Sequence, residues 1–179
     1  LENESGEAVG STGERMDFSL VDFNRCGVPL LEIVSDPDLH SPEEATAYLT
    51  TLKQILQYIE VSDCDMEKGS LRCDVNVSLR KGDDAPFGTR VELKNMNSFS
   101  NIEKAVQHEI MRQAEILDNG GLVLQETRAF DVAKGTTRSL RSKEDAQDYR
   151  YFPEPDIIPL QISESQVTEI GSTLPELPE

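Results

Sequence analysis

Residues 70–80 and 89–95 alternate between apolar and polar side chains. In the first run Leu71, Cys73, Val75, Val77 and Leu79 alternate with Arg72, Asp74, Asn76, Ser78 and Arg80. In the second, Val91 and Leu93 alternate with Arg90, Glu92 and Lys94. Period two marks a strand with one buried face. Between the runs, Lys81-Gly82-Asp83-Asp84-Ala85-Pro86-Phe87-Gly88 has the composition of a loop. A hairpin follows, and a register that unites the apolar rows also unites the polar rows. Asp74, Asn76, Glu92 and Lys94 then share one sheet surface with Arg72 and Arg90.

The same logic predicts the other elements. Residues 1–16 read as loop, and 18–23 and 28–34 as strands split by Asn24-Arg25-Cys26-Gly27. The run 28–34 is apolar except for Glu32. A carboxylate inside such a strand is costly unless paired, hydrogen-bonded or on a metal; the alternative is that Glu32 faces water at an edge. Ser35 to His40 form a turn. Ser41-Pro42-Glu43-Glu44 then places Ser at the N-cap, Pro at N1 and Glu at N3 of a helix running to about Ile59. Its buried side would carry Ala45, Tyr48, Leu49, Leu52, Ile55, Leu56 and Ile59. Ser100-Asn101-Ile102-Glu103 predicts a second helix to about Leu117, closed by Asn119-Gly120-Gly121. Residues 122–131 and 136–141 read as a second hairpin around Ala133-Lys134-Gly135, 157–162 as a strand and 163–171 as a short helix. His40 and His108 stand alone and read as surface or packing residues. Two long helices among hairpins argue for an α+β fold: a mostly antiparallel sheet with helices packed on one face.

Composition narrows the function classes. The 179 residues suffice for one domain with a real core. Starting at Leu1 rather than Met, the chain reads as an excised segment. No apolar run approaches membrane-spanning length, and no signal-peptide pattern is present. Three cysteines, Cys26, Cys64 and Cys73, lack metal-ligand spacing. Cys73 falls on an apolar strand face, so a buried free thiol and a reducing compartment are expected. The net charge of −17 argues against a general nucleic-acid surface. Residues 1–70 hold 4 basic and 15 acidic groups, 71–150 hold 13 and 13, and 151–179 hold 0 and 6. The cations thus concentrate in the middle of the chain, where the first hairpin sits, as a local anion-binding region would require; chance clustering is the alternative.

Carboxylates and an amide oxygen suit a hard cation such as Mg2+, while Lys and Arg suit phosphate. A solvated strand face with cross-strand ion pairs would show the same alternation. Several blocks carry further information. Asn24-Arg25-Cys26-Gly27-Val28-Pro29-Leu30-Leu31-Glu32-Ile33-Val34-Ser35-Asp36-Pro37-Asp38 resembles the signature of the B-subunit family of aspartyl/glutamyl-tRNA(Asn/Gln) amidotransferases and its archaeal E-type relative. Gly69-Ser70-Leu71-Arg72-Cys73-Asp74-Val75-Asn76, Glu92-Leu93-Lys94-Asn95-Met96-Asn97-Ser98, Gln125-Glu126-Thr127-Arg128 and residues 148–156 follow in the family's order.

The resemblance implies that residues 1–179 form the middle of the family's cradle, or catalytic, domain, with a glutamine-synthetase-like sheet floor for ATP and Mg2+. A preceding part and a helical tRNA-binding part would lie outside it. The implied reaction corrects mischarged tRNA. ATP phosphorylates the side-chain carboxylate of Glu on tRNA(Gln) or Asp on tRNA(Asn), and ammonia displaces the phosphate to give the amide. Ammonia would come from glutamine through an amidase subunit (A), with a small subunit (C) joining the two. A bacterial cytoplasm, or an organelle matrix in a eukaryote, is the implied location, with neither DNA nor membrane as partner. Carried over by position, Glu32 matches a metal-ligating Glu of the family. Asp74, Asn76 and Glu92 are assigned as further metal or substrate contacts, and Arg72, Lys94 and Arg150 as phosphate or acceptor-end contacts. One position departs from the pattern: Asn3 stands where the family has a metal-binding Glu. An amide oxygen can ligate Mg2+ but adds no charge, and Glu2 or Glu4 could substitute. A non-catalytic tRNA-positioning or assembly scaffold is the competing class, and a free-standing ligase acting on a small amino acid a remoter one.

Overall fold

The computed structural model describes residues 23, 24, 27–82, 84–142 and 155–176. The expected loop over 1–16 lies outside them, as does the strand over 18–23 apart from Phe23. The chain divides into two compact units, Leu1–Asp38 and Leu39–Glu179. In the first, residues 28–34 are assigned to neither helix nor strand. Leu30 is 94% exposed, and Leu31 and Val34 also face solvent. The strand expected there is absent. An apolar, β-branched run favours extended backbone, but a strand needs a neighbour's N–H and C=O groups.

The second unit holds α1 (Pro42–Tyr58), β1 (Val75–Val77), β2 (Val91–Lys94), α2 (Phe99–Asp118), β3 (Glu126–Asp131), β4 (Thr136–Ser142) and α3 (Glu164–Thr173). The strands form one sheet in the order β1-β2-β3-β4. The outer pairs are antiparallel and the central β2–β3 pair is parallel, so the α+β sheet is mixed. The parallel pair arises because β2 reaches β3 through α2, a crossover rather than a tight turn. Helix α2 lies against β1 and β4, and α1 packs on α2. Leu49 of α1, Ile102, Ala105 and Val106 of α2, and Val77, Val91, Leu93 and Phe130 of the sheet share one core. Each fully buried aliphatic side chain there contributes roughly 1.5–3 kcal/mol.

Local chemistry fixes the element ends. Ser41 caps α1 by accepting from the Glu44 N–H at 3.1 Å. Glu44 in turn accepts from the His40 N–H, one residue before the cap. Helix α2 begins two residues earlier than expected. Its cap is Ser98, which accepts from the Asn101 N–H at 3.2 Å. Asn95 adopts a φ of 65° and ends β2, so the run from Glu92 to Ser98 is strand, left-handed turn and helix cap. Between β1 and β2, a Cβ on Gly88 would lie 2.2 Å from the Leu79 carbonyl oxygen. Helix α3 carries a complete capping box from Ser163 and Gln166. Residues 157–162, expected as a strand, form no ladder, and Ile157, Ile158, Leu160 and Ile162 are exposed.

A charged network is sealed between α2 and the sheet. Glu109 is 0% exposed and accepts from Arg112 Nε and Nη2 at 2.9 and 2.6 Å. Gln113 donates to the same carboxylate at 2.9 Å and to the Val77 carbonyl at 3.1 Å, tying α2 to β1. Arg128 of β3 pairs with Glu126 at 2.6 Å and donates to the Thr137 hydroxyl and carbonyl, both at 2.8 Å. Burial pushes the Glu126 carboxyl upward. Hydrogen bonds from Ser139 and Arg128, with the charges of Arg128 and Arg112, outweigh it and leave Glu126 below its ordinary value.

Two stability outcomes are expected. Gly88→Ala forces the hairpin loop off the Leu79 carbonyl and costs about 1–3 kcal/mol. Glu109→Ala takes from Arg112 its bidentate carboxylate and from Arg128 a second one at 3.7 Å, and costs about 3–5 kcal/mol. Denaturant unfolding measures both; a Glu109→Ala loss below ~1 kcal/mol would show that water reaches Arg112 and Arg128 freely.

Candidate functional site

The first-hairpin register is the one that unites the polar rows: Val75 pairs with Leu93, Asn76 with Glu92 and Val77 with Val91. Val91 and Leu93 point into the core, so Glu92 and Lys94 take the opposite face. The rows continue across the sheet. Glu92 is opposite Thr127, which is opposite Arg141; Lys94 is opposite Ala129, which is opposite Arg138. Asp74 lies one residue ahead of β1. Lys94 Nζ reaches Asp74 Oδ2 at 2.7 Å and Glu92 Oε1 at 3.4 Å, bridging the two carboxylates. Thr127 donates its hydroxyl to the other Glu92 oxygen, Oε2, at 2.8 Å.

The sheet therefore brings together Asp74, Glu92 and Lys94, with Asn76 directly opposite Glu92. Arg72 and Arg90 are exposed and take no part in the Lys94 ion pairs. Glu32 belongs to the first unit, where its side chain is exposed. The burial cost anticipated for Glu32 does not arise there, because the strand that would have buried it is absent. Asn3 and Arg150 lie outside the described residues. Sequence reasoning missed Thr127. The signal available was the alternation of the second hairpin, which assigns Thr127 and Ala129 to one face and Arg128 and Phe130 to the other. His40 is exposed beside Glu44, and His108 lines a groove of about 310 Å3 with Glu43, Glu103, Lys104, Gln107, Met111 and Gly135. None of the candidate site residues borders that groove.

Partial burial lowers the Lys94 ammonium, but its contacts with Asp74 and Glu92 outweigh this and hold it above its ordinary value. The pair is not sealed: the Lys94 side chain is 31% exposed and that of Asp74 48%. Burial, aided by the Asp74 charge, pushes the Cys73 thiol up to about 11, so it is an inert packing group rather than a nucleophile. Cys64 and Cys73 are free thiols. Among the described residues, no group of three or more His, Cys, Asp or Glu side chains could hold a metal by itself. Two carboxylates with a neighbouring amide oxygen fit a hard cation that draws much of its shell from phosphate oxygens and water, as Mg2+ does. Among the described residues, no helix is long and apolar enough to cross a membrane.

Comparison with known proteins agrees with the resemblance read from the motifs. Residues 1–168 match the family described as the GatB/GatE catalytic domain. The B-subunit of the aspartyl/glutamyl-tRNA(Asn/Gln) amidotransferase of Brevibacillus brevis is 55% identical over 182 aligned positions, covering 100% of this chain and 37% of that protein. The same protein of Lachnoclostridium phytofermentans is 56% identical over 177, covering 99% and 37%, and that of Chlorobium chlorochromatii 52% over 179, covering 100% and 37%. The chain thus spans 37% of the length of these relatives. With identity above half along the whole sequence and a family match over nearly all of it, the chain belongs to the GatB/GatE family.

Proposed function

We propose that this chain supplies the phosphoryl-transfer and amidation floor of a tRNA-dependent amidotransferase. The substrate is Glu-tRNA(Gln), Asp-tRNA(Asn) or both. A side-chain carboxylate oxygen of the mischarged amino acid attacks the γ-phosphorus of ATP, and ADP leaves. Ammonia then attacks the acyl carbon, phosphate leaves, and the amide forms. Glutamine, hydrolysed by an amidase subunit, is the ammonia source; that subunit and a small third subunit are the proposed partners. A cytoplasmic setting suits this role, as do the free thiols.

The observation that carries this reading is the bridge of Lys94 between Asp74 and Glu92 on one sheet surface. Phosphoryl transfer asks a protein for alignment and charge neutralisation more than for covalent chemistry. Lys94 can trade its carboxylate partners for a phosphate oxygen. Asp74 and Glu92 are then released toward a cation, with Asn76 opposite Glu92 in the ladder. Magnesium, when bound, would offset the charge developing on the phosphate oxygens. Glu32 is proposed as a metal ligand on the strength of the family signature around it. Arg72 and Arg150 are proposed contacts for phosphate or the tRNA acceptor end, and Asn3 marks the weakened ligand position near the start.

In the full-length protein with its partner subunits, Glu32→Gln should lower ATP-dependent amide formation on mischarged tRNA about 10²-fold, with the unfolding midpoint unchanged. Ordinary turnover would remove Glu32 from the mechanism. Calorimetry of ATP binding tests the competing scaffold role: a scaffold gives no Mg2+-dependent affinity.

A further inference from the structure

Lys94 and Thr127, both partners of Glu92, differ in kind. Lys94 is a charge on a flexible four-carbon stem, nearer to Asp74 at 2.7 Å than to Glu92 at 3.4 Å. Thr127 is neutral, only 2% exposed, and set directly opposite Glu92 in the parallel β2–β3 ladder. Its place in the ladder and its burial hold the hydroxyl that donates to Glu92 Oε2 at 2.8 Å. The next residue, Arg128, is locked on the opposite face by Glu126 and Thr137, which fixes the strand at this point.

From this geometry we infer that Thr127 is a positioning residue: its hydroxyl keeps the Glu92 carboxylate aimed while Lys94 exchanges its partners for phosphate. The inference rests on the proposed use of Glu92 toward a magnesium–nucleotide. A neutral donor suits the task. It orients one oxygen without cancelling the negative charge that a cation requires, whereas a second lysine would compete with the cation. Outer partners of this sort govern metal affinity through the direction of the ligand rather than through contact with the ion. The chemical class of the ligand is a divalent cation carried by a nucleoside triphosphate.

The test is calorimetry of ATP binding to the full-length protein, with and without Mg2+, for Thr127→Val, Thr127→Ser and Glu92→Gln. Thr127→Val should weaken the Mg2+-dependent binding about 10–100-fold, while Thr127→Ser stays within about threefold. ATP binding without Mg2+ should be equal in wild type and both Thr127 variants, a pattern that a purely structural defect would not give. If Thr127→Val does not fold, Thr127→Ala replaces it, since that change removes the hydroxyl without adding bulk. Equal Mg2+ dependence in Thr127→Val and wild type, or an equal loss in Thr127→Ser, overturns the inference. If Glu92→Gln loses the Mg2+ effect while Thr127→Val keeps it, only the positioning role fails. If Glu92→Gln keeps it, the magnesium–nucleotide assignment fails and takes this inference with it.

Discussion

The register of β2 against its neighbours is the constraint on which the candidate site depends. A slip by one residue would turn Val91 and Leu93 out of the core and drive Glu92 and Lys94 into it. Both apolar residues are fully buried, so the slip forfeits about 1.5–3 kcal/mol for each, before the cost of burying two charges is counted. The placement of the chemistry is therefore set from the opposite face. Two backbone features pin the ends: the glycine pressed on the Leu79 carbonyl and the left-handed Asn95. The β2–β3 pairing then places Thr127 beside Glu92.

The sheet carries charge on both faces, and the two sides differ in accessibility. On the helix side, Glu109 is closed off and engaged by Arg112, Gln113 and Thr137. Such a network rigidifies, and removing one member strands the others. On the other side, one half-buried ammonium serves two carboxylates, and one of its two contacts is long at 3.4 Å. Partly exposed pairs of this sort exchange partners at little cost. The first arrangement suits a fixed scaffold and the second a surface that must receive a charged ligand. Both are anchored to adjacent residues of β3, where Thr127 faces one way and Arg128 the other.

Much of this was legible in the sequence because local pattern and tertiary packing agree there. Strict alternation in the first hairpin yielded the antiparallel pairing and the meeting of Asp74, Glu92 and Lys94, although the ladder is confined to Val75–Val77 and Val91–Lys94 within the longer runs 70–80 and 89–95. Ser41-Pro42-Glu43-Glu44 yielded the start of α1. Periodicity alone failed where the partner was the deciding factor. Residues 28–34 and 157–162 have strand composition, yet none of the described residues pairs with them. The parallel β2–β3 pair was obscured by reading the strands as separate hairpins. A long helix between two strands was the available clue to a crossover. Glu109 and Gln113 were also visible as polar residues on the apolar stripe of α2, which runs through Ile102, Ala105 and Val106. A polar residue on such a stripe signals a buried partner, here Arg112 and Arg128.

A crystal structure of the full-length protein with a non-hydrolysable ATP analogue and Mn2+ would show the exchange of partners at Lys94. The expected result is metal at about 2.1 Å from an Asp74 or Glu92 oxygen, with Lys94 Nζ moved onto a phosphate and Thr127 still on Glu92. A bound nucleotide elsewhere on the protein, with Lys94 still bridging Asp74 and Glu92, would contradict it.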